Sequence, residues 1–116
     1  MNAITIYNNL EGLKSTDEKS FLKAHKILLS NLIEDSGKYR KQGVGIVKGS
    51  KVEHLPPPAL NVPFLMKDLF DYLKNTDEIE LIKSCVFHYE MEFIHPFLDG
   101  NGRMGRLWPT LILMEK

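Results

Sequence analysis

The chain has 116 residues, of which 43% are hydrophobic and 26% are charged. This length predicts a single compact domain, and the apolar content excludes a disordered segment. Fifteen Lys and Arg residues balance fifteen Asp and Glu residues, so the chain lacks the overall positive charge of a general nucleic-acid binder.

The first half of the chain predicts one helix, one hairpin and one extended connector. Ser15 and Glu18 have the spacing of a capping box, which opens a predicted helix over residues 16–33. Its apolar positions are Phe21, Leu22, His25, Leu28, Leu29 and Leu32. The segment from Gly43 to His54 holds two β-prone runs around a turn, which predicts a small hairpin. The run Pro56-Pro57-Pro58 fits neither a helix interior nor a central strand, so it marks the connector.

The second half predicts three helices. Asn61 caps the first, whose apolar positions are Leu65, Met66, Leu69, Tyr72 and Leu73. A long helix over residues 77–94 is predicted to be central, with Ile79, Ile82, Val86, Tyr89 and Phe93 forming its buried face. Pro96 ends that helix, because proline disfavours helical geometry in the residue before it. A last helix is predicted from about Arg103 to the end, and Pro109 should kink it.

Three features predict a cytoplasmic protein that makes no membrane contact. Cys85 is the only cysteine, so the chain forms no internal disulfide, and we interpret it as a small core residue. The first five residues lack the order of a secretory signal. The longest apolar run, from Leu107 to Met114, is far shorter than the roughly 20 residues that span a bilayer.

The loop between the last two predicted helices carries the side chains suited to phosphate chemistry. Gly100, Asn101 and Gly102 stand at a helix start, where backbone N–H groups and the helix dipole favour an anion. Arg103 and Arg106 are three residues apart, so they share a face of the following helix. This spacing fits a polyphosphate better than a single phosphate.

Two further residues complete a predicted transfer site. Asp99 is a hard oxygen ligand directly before the anion site, and Mg²⁺ is commonly held by one or two carboxylates together with the substrate phosphates. His95 can be neutral near pH 7, because an unperturbed imidazole has a pKa of about 6.5. His95 is therefore the candidate general base that accepts a proton from an attacking hydroxyl.

The run from His95 to Arg106 resembles the signature of the Fic proteins, His-x-Phe-x-Asp/Glu-Gly-Asn-Gly-Arg-x-x-Arg, at every fixed position. The likeness continues upstream through Gly37-Lys38-Tyr39-Arg40, the hairpin and the proline run. It implies an all-α, Fic-type helical domain over residues 1–116 with a small β-hairpin flap. It also implies a protein adenylyltransferase, an enzyme that transfers AMP from ATP to a Ser, Thr or Tyr hydroxyl of a target protein.

The resemblance assigns a role to each motif position. It makes His95 the catalytic base and Asp99 the ligand of Mg²⁺. Gly100, Asn101 and Gly102 would hold the α- and β-phosphates of ATP. Arg103 would steady these phosphates and the leaving pyrophosphate, Arg106 would reach the γ-phosphate, and Phe97 would anchor the loop in the core.

The resemblance also implies a partner and a restraint. The target protein would pair its main chain with the flap between Gly43 and His54. Many Fic proteins are restrained by a helix carrying Ser/Thr-x-x-x-Glu-Gly/Asn, whose glutamate would pair with Arg106. The nearest string here, Tyr7-Asn8-Asn9-Leu10-Glu11-Gly12, starts with Tyr instead. We therefore expect the inhibitory helix upstream or on an antitoxin protein, and we expect this sequence to be a fragment lacking flanking helices.

Three alternatives stay open at this point. The same fold could use another donor, such as a phosphate or another nucleotide group, because related members with altered loops transfer phosphate or phosphocholine. His88, Glu92 and His95 are spaced by four and three, so one helix face could bind zinc, as in zinc hydrolases. The chain could also be a non-catalytic interaction module or a toxin of a regulated pair.

Overall fold

The computed structural model describes residues 12–43, 46–48 and 51–115, and for the strands of the hairpin it describes the backbone alone. The described part is mainly helical. Its elements in chain order are α1 (Glu18–Leu29), β1 (Ile46–Lys48), β2 (Lys51–His54), a short 3₁₀ turn (Ala59–Asn61), α2 (Val62–Asn75), α3 (Glu80–Ile94) and α4 (Asn101–Met114). The predicted helical fold is thus confirmed. The string at residues 7–12 lies outside the described residues except for Gly12.

Helix α1 begins with a different cap from the predicted one. Asp17 is the N-cap, and its carboxylate accepts hydrogen bonds from the backbone N–H and the hydroxyl of Ser20 at 3.2 Å and 2.9 Å. The hydroxyl bond, the largest cause, and the backbone bonds lower the pKa of Asp17. The capping box from Ser15 to Glu18 was therefore wrong, because Asp17 lies two residues nearer the helix than Ser15 and reaches its free N–H groups.

Ser15 instead fastens the start of the described chain to its far end. Its N–H and its hydroxyl donate to the two carboxylate oxygens of Glu115, at 2.9 Å and 2.5 Å, respectively. Its carbonyl accepts from the Trp108 indole N–H at 2.9 Å. Since Trp108 and Glu115 sit on and just after α4, these bonds fix that helix against the segment that leads into α1.

We expect Glu115→Ala to lower the free energy of unfolding by about 1–3 kcal/mol, because it leaves two donors of the buried Ser15 without their carboxylate. Urea denaturation followed by circular dichroism measures the change. Glu78→Ala, which removes an exposed carboxylate before α3, is the matched control. Equal stability of the two variants would contradict this reading of the Ser15 contact.

Strands β1 and β2 pair antiparallel as a two-stranded sheet. Val47 faces Val52 and Lys48 faces Lys51, whereas Ile46 faces His54, so the register shifts by one residue between Ile46 and Val47. The strands lie inside the segment predicted to form a hairpin. The predicted Gly-Ser-Lys turn covers residues 49–51, of which residues 49 and 50 lie outside the described residues and Lys51 begins β2.

The core is centred on the ring of Phe21 in α1. Rings from four other parts of the chain surround it, with centroids 5.2–5.7 Å away. They belong to Phe70 of α2, Phe87 of α3, Phe97 of the loop after α3, and Trp108 of α4. All five side chains are buried. Because Phe97 is in this cluster, the loop with the signature is attached directly to the core, as its predicted anchoring role requires.

Helix α3 buries a different face from the predicted one. Its inward residues are Ser84, Phe87, Met91 and Ile94. The predicted face is largely exposed, with Ile79, Ile82, Tyr89 and Phe93 all on the surface and Cys85 exposed beside them. Apolar residues three and four positions apart occur on two faces of α3. The spacing therefore does not show which of the two faces is buried. The buried face and the core position of Cys85 were therefore wrong.

Helix α4 runs through Pro109, as predicted, and begins at Asn101, two residues earlier than predicted. It packs most extensively against α3, where the Ser84 hydroxyl donates to the Pro109 carbonyl at 3.0 Å. Gly100 precedes it in a left-handed conformation. Among the described residues, no helix is both long enough and apolar enough to cross a membrane.

Candidate active site

His95 stands at the C-terminal end of α3 in a left-handed conformation, with φ 51° and ψ 64°. It is the only residue other than glycine with a positive φ in the described ranges. Glycine usually occupies this position after a helix, so a histidine here stores backbone strain. This left-handed conformation turns the chain sharply after α3. The half-buried His95 borders a cavity beside the start of α4.

The side chain of Asn101 shapes the loop between the two helices. Its Oδ1 accepts from the Phe97 N–H at 3.0 Å, and its Nδ2 donates to the Phe97 carbonyl at 2.6 Å. The amide thus binds both backbone groups of the residue that anchors the loop. The side chain of Asn101 therefore holds the loop closed. The group of Asn101 that can bind a ligand is its backbone N–H.

A buried histidine supports the same loop from below. The His25 ring stacks on Phe97 with a centroid distance of 3.7 Å and an interplanar angle of 6°. Its Nδ1 accepts from the Gly37 N–H at 2.8 Å, so the proton of a neutral ring is on Nε2, which donates to the Asp99 carbonyl at 2.9 Å. Burial lowers the pKa of His25, which favours this neutral form.

The start of α4, where the sequence predicts an anion site, leaves several backbone N–H groups without helical partners. Gly100 has φ +87°, and the first helical hydrogen bond runs from the Met104 N–H to the Gly100 carbonyl at 3.0 Å. The N–H groups of residues 101, 102 and 103 therefore have no carbonyl partner inside the helix. Their direction and the helix dipole both favour an anion at this end.

The charged residues of the signature surround this helix start. Asp99, Arg103 and Arg106 are all exposed. Asp99 Oδ1 accepts from the Gly100 N–H at 2.8 Å, which keeps the carboxylate beside the anion site. A Cβ placed on Gly102 would lie 3.5 Å from Nη1 of Arg106, so that guanidinium extends back over the first turn.

A cavity of about 480 Å³ borders both His95 and the start of α4. His95, Asn101 and Gly102 line it together with the aromatic residues Tyr89 and Phe93 of α3. Its size is within the range of small-molecule sites. Of the signature residues, His95, Asn101 and Gly102 border this space, whereas Asp99, Gly100, Arg103 and Arg106 are not among the residues that line it.

The zinc alternative was wrong. No three His, Cys, Asp or Glu side chains of the described ranges converge on a common metal position. His88 and Glu92 instead bond to each other along α3, with Nε2 2.8 Å from Oε1. Spacing alone could not distinguish a ligand pair from this ordinary contact between residues four apart.

The sequence did not reveal the supporting role of His25, because His25 acts on backbone atoms of distant segments. It also did not reveal that Tyr89 and Phe93 line the cavity. These two residues were assigned to the core because aromatic residues at helical spacing usually pack inside. The available signal was the two apolar stripes on α3, of which the core can take one.

Comparison with known proteins decides the family. The model of the Fic/DOC family matches residues 15–113. This chain belongs to the Fic/DOC family. The Fic domain resembles a probable protein adenylyltransferase of Aquifex aeolicus, with 42% identity over 78 residues, which cover 66% of this chain and 23% of the relative. The family predicted from the signature is confirmed.

Two further relatives extend this likeness. The protein adenylyltransferase Fic of Nematostella vectensis is 30% identical over 121 residues, covering 90% of this chain and 27% of its own length. The crystal structure of a Fic family protein from Desulfovibrio desulfuricans G20 has 53% identity and a TM-score of 0.87, covering 96% of this chain and 34% of its own. The chain thus spans from 23% to 34% of the length of these three proteins.

Proposed function

We propose that this Fic domain is a protein adenylyltransferase that transfers AMP from ATP to a hydroxyl side chain of a target protein. The observation that carries the proposal is the single cavity shared by His95 and the start of α4. A base on one side of a polyphosphate site is the arrangement that hydroxyl attack on a phosphorus atom requires. The names of the Aquifex aeolicus and Nematostella vectensis relatives support the same activity.

The donor set fits ATP. Three helix-start N–H groups and two exposed arginines suit several phosphate oxygens, and the aromatic side chains of Tyr89 and Phe93 suit a nucleobase. Arg103 would bind the α- and β-phosphates and the leaving pyrophosphate, and Arg106 would bind the γ-phosphate. In this scheme Gly100, Asn101 and Gly102 contribute backbone N–H groups.

Asp99 fits a Mg²⁺ ion that is shared with the substrate. Its carboxylate is exposed beside the anion site, and a lone protein carboxylate is enough when phosphate oxygens supply other ligands. When bound, Mg²⁺ neutralises charge that develops on the phosphate oxygens. The hydrogen bond from His25 to the Asp99 carbonyl would then fix the position of this metal ligand relative to the core.

His95 would accept the proton of the attacking hydroxyl. The hydroxyl oxygen forms a bond to the α-phosphorus. The bond from that phosphorus to the oxygen that bridges it to the β-phosphorus breaks, and pyrophosphate leaves. A positioned general base contributes about 10² to 10⁴ in rate. Orientation of the hydroxyl is the larger requirement, and strands β1 and β2 would supply it by pairing with the main chain of the target.

We expect Arg106→Ala to lower ATP affinity by at least about tenfold, because a charge-assisted hydrogen bond contributes about 1.5–3 kcal/mol. AMP affinity should stay the same, since AMP has no γ-phosphate. Calorimetry with ATP and AMP measures both values. Lys67→Ala, which removes an exposed cation paired with Asp71 on α2, is the matched control. A loss of affinity for both nucleotides would contradict the assigned position of Arg106.

Transfer itself is tested by following the α-phosphate of ATP into protein in cell extract with Mg²⁺. An inhibitory helix from outside the described residues, or an antitoxin protein, would reduce this signal by pairing a glutamate with Arg106. Arg106→Ala would then raise transfer despite its weaker ATP binding, which separates restraint from lack of activity.

A further inference from the structure

Arg40 joins the loop of the proposed base to the rest of the chain. It follows α1 in a connecting segment, and it is buried, with 3% of its surface exposed. Its Nε–H donates to the His95 carbonyl at 2.6 Å, and its Nη2 donates to the Ile94 carbonyl at 3.1 Å. Its backbone N–H donates to the Pro96 carbonyl at 2.8 Å. One residue therefore binds three successive carbonyls around the left-handed turn.

The same guanidinium also holds both ends of the hairpin. Its Nη1 donates to the Gln42 carbonyl at 3.1 Å, and its Nη2 donates to the Pro57 carbonyl at 2.6 Å. Gln42 lies shortly before β1, and Pro57 lies shortly after β2. Movement of either end of the hairpin must therefore change a bond of the group that holds His95.

The physical need for such a group follows from the backbone of His95. A residue other than glycine stays in the left-handed region only where its surroundings fix it in place. The last carbonyls of α3 lack helical partners and carry the negative end of the helix dipole. A planar guanidinium can serve several of them at once, whereas a lysine ammonium has neither the fork geometry nor the reach on both sides.

We propose that Arg40 is the positioning residue of the transfer reaction: it fixes His95 at the angle needed for proton transfer and couples that angle to the hairpin. This proposal rests on the proposed function of His95 as the base. Arg40 contacts backbone atoms alone in these bonds, so it should affect turnover and leave the nucleotide site at the start of α4 intact. Misplacement of a reacting group by about 1 Å can cost about 10² in rate.

The test compares Arg40→Lys and Arg40→Gln with Tyr39→Phe. The control removes a partly buried hydrogen bond of 2.6 Å from the neighbouring phenol to Glu18 and keeps the ring against Phe97. We expect kcat for transfer to fall by about 10- to 10²-fold in the Arg40 variants, with ATP affinity unchanged. Tyr39→Phe should keep the wild-type kcat. The transfer assays are run at a temperature at which thermal melting shows that all the proteins are folded.

A second readout does not depend on activity. In protein labelled at histidine, the Cα and ring signals of His95 should move in both Arg40 variants and stay in place in Tyr39→Phe, with His95→Asn used to assign them. In the wild-type protein, the Arg40 Nε–H proton should exchange slowly with solvent. Unmoved His95 signals, an unchanged kcat or a rapidly exchanging Nε–H would each overturn the proposal. If neither the wild-type protein nor Arg106→Ala transfers AMP, the proposed function fails, and the NMR results alone decide whether Arg40 positions His95.

Discussion

His95→Ala should reduce AMP transfer by about 10² to 10⁴ while ATP affinity stays close to that of the wild-type protein. The imidazole is assigned a part in the reaction and none in holding phosphate, since the phosphate donors lie in α4 and at its start. Quantitative transfer assays and calorimetry measure the two effects separately. Full transfer by the variant would remove His95 from the mechanism.

Two controls separate chemistry from folding. His95→Asn keeps a residue type that tolerates the left-handed region, so it removes the base with less change to the backbone than alanine. It should lose as much transfer as His95→Ala. His88→Ala removes a half-exposed imidazole from the same helix and should keep wild-type transfer.

Gly100→Ala should have the largest effect on the nucleotide site and on the fold together. A Cβ at this position would lie 2.2 Å from Leu29 Cδ1 and 3.2 Å from His25 Nε2. The left-handed backbone costs an alanine about 1–2 kcal/mol, and forced repacking in a core typically costs a further 1–3 kcal/mol. The start of α4 must move to relieve the contact, so ATP affinity should fall more than tenfold, about 1.4 kcal/mol.

Two other glycines serve as controls for this substitution. Gly12 has nearly the same φ, +88°, with no atom within 4 Å of its Cβ position, so Gly12→Ala reports the backbone cost alone. Gly102→Ala adds a methyl group 3.5 Å from Arg106, which is an ordinary contact. In thermal unfolding, the melting temperature of Gly100→Ala should be well below those of Gly12→Ala and Gly102→Ala. If Gly12→Ala were equally destabilising, the contact of Gly100 with Leu29 would be unimportant.

Much of the site was predictable because its parts are adjacent in the chain. Residues 95–106 contain the proposed base, the acid, the glycines and both arginines, so folding of one loop between two helices places them near one another. The presence of the helices was also predictable, because long runs of helical periodicity separated by Pro and Gly fit few other secondary structures. The ends differed by a few residues where local caps competed, as at Asp17.

The supports of the site could not be predicted in the same way. His25 is 74 residues from the Asp99 carbonyl that it binds, and Arg40 is 55 residues from that of His95. Both act on backbone atoms, which leave no mark on the sequence of the loop. The buried face of α3 was mistaken for a similar reason: local periodicity cannot say which of two apolar stripes meets the ring of Phe21.

A paired transfer assay in cell extract with Mg²⁺ tests directly whether His95 catalyses AMP transfer. One sample receives ATP labelled on the α-phosphate and the other receives ATP labelled on the γ-phosphate, and each is repeated with His95→Asn. We expect protein label from the α-position alone, lost in the variant. Label from the γ-position alone would show phosphate transfer on the same scaffold, and α-label that persists in the variant would show that His95 is not the base.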